Sequence, residues 1–347
     1  MYIREFADGV RVEGQFLVAD SKKGVSAAGR AYLTLTLQDS SGQIEAKKWE
    51  YEEGDDERYA KGIIVNIDGM ANAYKNSLQV KIFSISPVVQ ENIDWSRFVA
   101  SAPVALPILK EKLNGYVSSI SDPDVKMLVE AMLDLFGEKY LTHPAAVRNH
   151  HDYVSGLLYH SITMADMAAK VCRVYPSLNR DIMIGGVIVH DMGKTVELSG
   201  ANATAFTLEG KLLGHIAIGQ AELRAVAKKL GMFEFDSLPV EQQTIENPLF
   251  RKKEIAVTFE HIILSHHSKP EFGSAVIPLT REALVIAMID DLDAKMMILD
   301  KAFRDVAKGG SSAKLFNMDE RYFYLPTYSN EGTVAGTSVE EEQEDLK

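Results

Sequence analysis

The chain has 347 residues, 46% of them hydrophobic and 25% charged, and a formal net charge of −12. That length holds two or three domains of ordinary size, and the composition excludes a disordered, collagenous or membrane-embedded chain. Its single cysteine, Cys172, excludes an intrachain disulfide and fits a reducing compartment. The start, MYIREFADGV, is charged and lacks the apolar core of a secretory signal. The longest apolar runs, such as IMIGGVIV at 182–189, are too short to span a bilayer. The expectation is a cytoplasmic protein with no membrane partner.

The first 88 residues read as one β domain. The stretches 11–19, 31–39, 42–50, 62–74 and 77–86 are each about a strand long, and several alternate apolar and polar residues. DSSG at 39–42 marks a hairpin, and the polar stretch 51–62 has room for a helical turn. Five strands with that turn between the third and fourth is the order of an OB-fold barrel. In the third strand Glu45, Lys47 and Trp49 fall on one face. If the two charges face water, Trp49 does too and offers a base-stacking platform; a one-residue slip would send it into the core instead. Lys22, Lys23 and Arg30 flank a glycine-containing loop, read either as a phosphate grip or as a solvated loop.

Residues 89–148 read as a linker and helical connector, and 149–327 as an all-α domain. The sentence SDPDVKMLVEAMLDLFG opens on an N-cap serine and closes at glycine. Further helices are expected over 152–174, 180–191, 211–230, 254–267 and 280–307. The segment 233–254 is open to three readings: a lid, a contact in a homo-oligomer, or a neutral insertion. Its Arg251, Lys252 and Lys253 are read as a charge run facing solvent rather than nucleic acid. Residues 328–347 form an acidic tail expected to be disordered; its last eight residues hold five acids and one lysine. Such uneven charge neither supports nor excludes a nucleic-acid partner.

All nine histidines lie between His143 and His267. His160, His190 with Asp191, His215, His266 with His267, and Asp290 each sit in or at the end of an apolar helical stretch. A buried polar group needs a partner, and several on separate helices can satisfy one another by sharing metal ions. Imidazole with carboxylate suits manganese, iron, cobalt or zinc better than calcium or magnesium. Four histidines and two aspartates exceed the needs of one catalytic ion, so a pair bridged by Asp191 is expected. Gly193 is expected to end the helix in the left-handed conformation. Asp291 and Asp293 compete with Asp290 for its place, His261 is read as packing, and His143 and His150 as surface residues.

This ordered set, with the words NHHDYVSGLLYH, GGVIVHDMGK, TLEGKLLGHI, LSHHSKPEFGS and IDDLDAKM, resembles the HD-domain metal-dependent phosphohydrolase superfamily. With an OB-like domain in front, it is similar to the YhaM-type 3′→5′ exoribonucleases over nearly the whole chain. The resemblance implies a β + α multidomain protein, an OB-fold barrel followed by an HD domain. It implies a hydrolase using a divalent metal, usually manganese, that removes 5′-mononucleotides from the 3′ end of single-stranded RNA, with DNA as the other polymer. His160, His190, Asp191 and Asp290 would hold one ion, and Asp191, His215 and His266 a second. Asp191 and Lys194 would be catalytic, Lys194 neutralising a substrate phosphate. His267 would be a further ligand or phosphate contact; His151, read from its own place in NHHDY, is expected to support a ligand or touch substrate. Two rivals are an HD phosphodiesterase or nucleotidase for small nucleotides, and a nucleic-acid-binding protein whose HD domain is structural.

Overall fold

Alternation in the first 88 residues produces a closed five-stranded barrel in the order β1-β2-β3-β5-β4. The strands are β1 (Arg11–Val25), β2 (Ala31–Asp39), β3 (Gly42–Lys48), β4 (Ile64–Tyr74) and β5 (Ser77–Pro87). All pairings are antiparallel except β3 with β5, which closes the barrel in parallel. This is the OB-fold arrangement. The computed structural model describes residues 1–26, 28–74, 77–88, 95–146, 153–200, 204–304 and 306–330; His151, His150 and most of the acidic tail lie outside them. Inward residues such as Phe16, Val18, Leu33, Leu35, Leu37, Ala46 and Val80 fill the barrel core. The short helix α1 (Asp55–Arg58) sits between β3 and β4, where the polar stretch left room for it, and its buried Asp55 pairs with Lys48 at 2.7 Å.

Strand β1 does not end at residue 19. It runs to Val25, because β2 pairs with it all the way to Val25 opposite Ala31. Lys22 and Lys23 therefore belong to a strand rather than to the edge of a loop. Lys22 pairs with Asp20 at 2.5 Å, and Lys23 lies 3.9 Å from the Tyr51 ring centroid. Arg30 is exposed in the tight connection before β2.

The rest of the chain, from Ala102 onward apart from residues 201–204, forms a second compact unit that is helical. Its elements are α2 (Leu106–Ser118), α3 (Pro123–Thr142), α4 (Gly156–Val174), α5 (Arg180–Val189), α6 (Lys194–Glu197), α7 (Leu208–Leu212), α8 (Gly214–Lys229), α9 (Pro248–Ser265) and α10 (Arg281–Phe303). The N-cap of α3 is Asp122, whose carboxylate accepts from the amides of Asp124 and Val125; the preceding serine is not the cap. Gly137 interrupts α3 without ending it. Residues 211–230 form no single helix, because Gly214, at φ 74°, breaks the run between α7 and α8. α9 begins at Pro248, six residues before the expected start at 254, with Asn247 as cap.

Helix α5 is central. From Ile182 onward its residues are buried on every side, and the core continues through Leu128, Val129 and Met132 of α3, Leu157 of α4, Phe259 and Ile262 of α9 and Ile286 of α10. An apolar helix without a wet face needs neighbours all around it. Its C-terminal end is thereby delivered into the interior, and His190 follows there. The 233–254 segment holds two short 3-10 turns, Glu234–Ser237 and Val240–Gln242, pinned by the buried Phe235. Arg251 pairs with Asp122 and Asp124, and Lys253 with Asp236 at 2.5 Å, so these cations serve intramolecular pairs.

Candidate metal centre

Five helices bring their polar residues to one point. His160 lies in the first turns of α4, His190 and Asp191 follow the last turn of α5, and His215 opens α8. His266 and His267 follow α9, and Asp290 projects from the middle of α10. His160, His190, Asp191 and His266 are buried. Ligand-capable atoms of Asp191, His215, His266 and His267 all lie within 4.8 Å of one another, as do those of His160, His190 and Asp191, and those of His190, His266 and Asp290.

Asp191 is the hub. Its Oδ1 lies 3.3 Å from His215 Nε2 and 3.5 Å from His266 Nε2. Its Oδ2 lies 3.4 Å from His190 Nε2, 3.7 Å from His160 Nε2 and 2.6 Å from Lys194 Nζ. His160 Nε2 also lies 3.3 Å from Asp290 Oδ1.

The outer ring nitrogens fix the tautomers. His190 Nδ1 donates to the Val187 carbonyl at 2.7 Å, His266 Nδ1 to Ile263 at 2.8 Å and His267 Nδ1 to Phe272 at 2.8 Å. A carbonyl only accepts, so each Nδ1 carries a hydrogen and Nε2 is the ring atom turned inward, free to offer a lone pair to a metal. His215 Nδ1 is held by Glu197 Oε1 at 3.1 Å and His160 Nδ1 by Asp293 Oδ2 at 2.6 Å. Among the described residues, Nε2 of His190, His215 and His266 and Oδ1 of Asp191 are buried without a hydrogen-bond partner. Each such atom costs about 1–3 kcal/mol when left unmatched. Four of them facing one point, all lone pairs or negative charge, fit a cation; the donor set of imidazole and carboxylate fits a divalent transition metal.

The electrostatics agree. Burial raises the Asp191 carboxyl, but Lys194 and His190 outweigh it and hold the group well below its ordinary range. Asp290 is likewise held down by His160 against burial. Burial lowers Lys194, yet Asp191 and Asp290 keep its ammonium charged. Burial and the neighbouring His266 push His267 down to about 4, which keeps that ring neutral. His160 is the exception: burial is outweighed by Asp290 and Asp293, and its pKa rises to about 10.

Gly193 is not a left-handed stop. Its φ is −57° and ψ −22°, ordinary helical values. A glycine is needed for another reason: a Cβ there would stand 2.1 Å from the His215 carbonyl oxygen and 2.9 Å from the Gly219 amide nitrogen. The backbone after Asp191 thus touches the first turn of α8, which places His215 against the hub. Gly193→Ala should displace α8, lowering stability by about 1–3 kcal/mol and weakening metal binding together; denaturant unfolding and metal titration check both.

Glu197 escaped the sequence reading. It stands between Val196 and Leu198, and being an acid beside apolar residues was its only signal. It is buried, and its Oε1 accepts from both the backbone amide (3.1 Å) and the ring of His215. A carboxylate behind a histidine orients the ring and raises its basicity. Glu197→Gln should weaken metal binding by about 10- to 100-fold, and Asp293→Asn similarly through His160; calorimetric manganese titration measures it. Of the other histidines, His143 is half-buried with Nδ1 on the Lys139 carbonyl, and His261 Nε2 accepts from the Leu279 amide at 2.8 Å.

On the barrel unit, the alternation holds through β3, and Trp49 is 50% exposed. Register places Lys22 beside Thr34, Thr34 beside Lys47, and Lys47 beside Lys81 across β1, β2, β3 and β5. Two residues along, Tyr32 lies against Trp49 with centroids 5.0 Å apart, and exposed Phe83 follows Lys81 on β5. Gly24 lies opposite Tyr32 in the register, and a Cβ there would meet the Tyr32 ring at 2.6 Å. One outer face therefore carries a row of lysines next to a row of aromatics.

The HD domain family model matches residues 157–295, the span that contains every convergent side chain. Fold and site together define a barrel-bearing HD-domain protein. The "3'-5' exoribonuclease YhaM" of Bacillus subtilis (strain 168) is 37% identical over 321 residues, 92% of this chain and 96% of that protein. The same-named proteins of Bacillus pumilus (strain SAFR-032) and Geobacillus sp. (strain WCH70) are 36% identical, over 321 and 323 residues; coverage is 92% and 93% of this chain and 96% and 94% of theirs. The chain belongs to the YhaM 3′-5′ exoribonuclease family. Among solved structures, the second OB-fold domain of replication protein A from Methanococcus maripaludis is similar at TM-score 0.21 and 19% identity, over 27% of this chain and 98% of that one. No described helix is long and apolar enough to cross a membrane.

Proposed function

We propose that the chain is a divalent-metal-dependent 3′→5′ exoribonuclease of the cytoplasm that releases nucleoside 5′-monophosphates from single-stranded RNA. The observation that carries the metal is the set of buried, unpartnered Nε2 and Oδ1 atoms facing one point. His160, His190, Asp191 and Asp290 would hold one ion, and Asp191, His215 and His266, with His267 as a further ligand, a second. Manganese is the first candidate. When bound, such ions supply Lewis acidity toward phosphoryl oxygens and acidify water.

The chain's own residues do the rest. Asp191 stays ionised inside the protein and presents one oxygen to each half of the histidine set. Lys194, held 2.6 Å from Asp191 Oδ2, keeps a fixed positive charge at the site for the phosphodiester. Glu197 and Asp293 hold the His215 and His160 rings in place. The lysine and aromatic rows of the barrel suit a single strand: cations follow phosphates and rings accept any base.

The test compares RNA with a small nucleotide. A labelled oligoribonucleotide should be turned over and a cyclic dinucleotide should not. Trp49→Ala should raise KM for RNA by about 5- to 100-fold with kcat nearly unchanged. Turnover of the cyclic dinucleotide alone would instead make the chain a small-nucleotide phosphodiesterase.

A further inference from the structure

The loop that follows the ligand histidines has a shape the metal site alone does not explain. Resting on the exoribonuclease reading, we propose that His267–Gly273 is the seat of the 3′-terminal nucleoside: Phe272 stacks on its base and Lys269 meets a neighbouring phosphate.

The loop is wired to the centre. His267 Nδ1 donates to the Phe272 carbonyl at 2.8 Å, while the His267 ring lies 4.3 Å from that of His266 and 5.2 Å from that of His215. The backbone at Phe272 is thus one hydrogen bond from His267.

The loop is also stiff, and its stiffness is costly. Ser268 has φ 67°, a left-handed value unusual for a residue with a side chain, and the Lys269 amide closes the turn onto the His267 carbonyl at 2.8 Å. Such conformations persist where surrounding structure over-determines them, commonly at ligand clamps. A 3-10 turn, Pro270–Phe272, follows; Phe272 donates to the Lys269 carbonyl at 3.0 Å and Gly273, at φ 101°, to that of Pro270 at 3.0 Å. The Ala275 amide then ties the segment back to the Leu264 carbonyl in α9 at 3.0 Å.

What this frame holds out is an aromatic ring. Phe272 is 65% exposed, and Lys269 Nζ lies 5.9 Å from its centroid. A single exposed phenylalanine is unremarkable on a surface. One held on a strained, hydrogen-bonded loop beside a cation and a candidate metal ligand is not a chance exposure. A ring carried on a fixed backbone leaves less freedom to lose when a base stacks on it, and stacking accepts all four bases, as trimming of any sequence requires.

Steady-state kinetics on two labelled oligoribonucleotides tests this: one with an ordinary 3′-terminal adenosine, the other ending in an abasic ribose. The wild type should show a KM about 5- to 100-fold higher for the abasic end. Phe272→Ala should raise KM for the ordinary end to nearly that value, leave the abasic KM alone, and keep kcat within about twofold; Phe272→Trp should restore the difference. Lys269→Gln should reduce the slope of log KM against log salt by about 0.7. Equal wild-type KM values for the two ends, or equal losses for both in Phe272→Ala, would overturn the seat while leaving the exoribonuclease reading standing. Failure of the wild type to shorten the ordinary RNA overturns that reading and the seat with it.

Discussion

Asp191→Asn is expected to lower RNA turnover by about a thousandfold or more, with RNA affinity changed less than about twofold. No other side chain of the cluster faces so many of its members. Its Oδ1 is turned to His215 and His266, and its Oδ2 to His160, His190 and Lys194. An amide keeps the shape but loses the charge that joins the two histidine sets. It also strips the buried Lys194 ammonium of its counter-charge, so the variant should melt below the wild type. Filter binding and single-turnover hydrolysis on the same preparation separate the two effects. Retained hydrolysis would make the HD domain structural, and the chain a binding protein.

Metal removal should have the second largest effect. Chelation should abolish turnover and lower the melting temperature of the helical unit by about 10 °C, the shift expected when about 4 kcal/mol of ligand binding is withdrawn from a domain of this size. Added manganese should restore both. The metal-free protein should be most stable near pH 6.5 and lose stability on either side. The sign follows from each group. His266 and His267 are held below 6.5, His267 at about 4, so their contribution is present above 6.5 and fades as pH falls toward 4. Asp191 and Asp290 are held down as well and lose their contribution only at still lower pH. His160, raised to about 10, contributes fully below 6.5 and loses its share progressively as pH rises from 6.5 through 10. Thermal melts across pH in chelator read that maximum directly.

Much of the fold was legible because its signals are local. Period-two alternation marks the strand that carries Leu33, Leu35 and Leu37; for Trp49 the same parity left both faces open, because a one-residue slip reverses it, and the unbroken register of β3 decides for the outside. A polar group on an apolar helix stretch is also a local signal, and it brought His160, His190, Asp191, His215, His266 and Asp290 to one place. Asp291 and Asp293 compete with Asp290 in the sequence, and only the resemblance of IDDLDAKM to the family's word makes Asp293 the supporting partner.

What was missed depends on contacts between distant segments. Gly193 looks like a helix stop until α8 is seen touching it. Glu197 becomes significant only once His215, eighteen residues later, returns to it. The extension of β1 to Val25 is set by its partner β2 and not by its own polar residues, so Lys22 and Lys23 were placed on a loop edge. The extra reach of α9 before Glu254 likewise brings Arg251 and Lys253 to acids elsewhere in the chain, Asp122 and Asp236, while Arg251 stays exposed as a solvent-facing charge run should.

The Asp191-centred cluster is expected to hydrolyse RNA from its 3′ end. A time course with 5′-end-labelled single-stranded RNA and manganese, run with wild type and Asp191→Asn, tests it most directly. The wild type should give a ladder shortening steadily from the 3′ end, with nucleoside 5′-monophosphates as the released product, and the variant should leave the RNA intact. Labelled mononucleotide appearing at the outset, internal cuts, or a ladder from Asp191→Asn matching the wild type would contradict it.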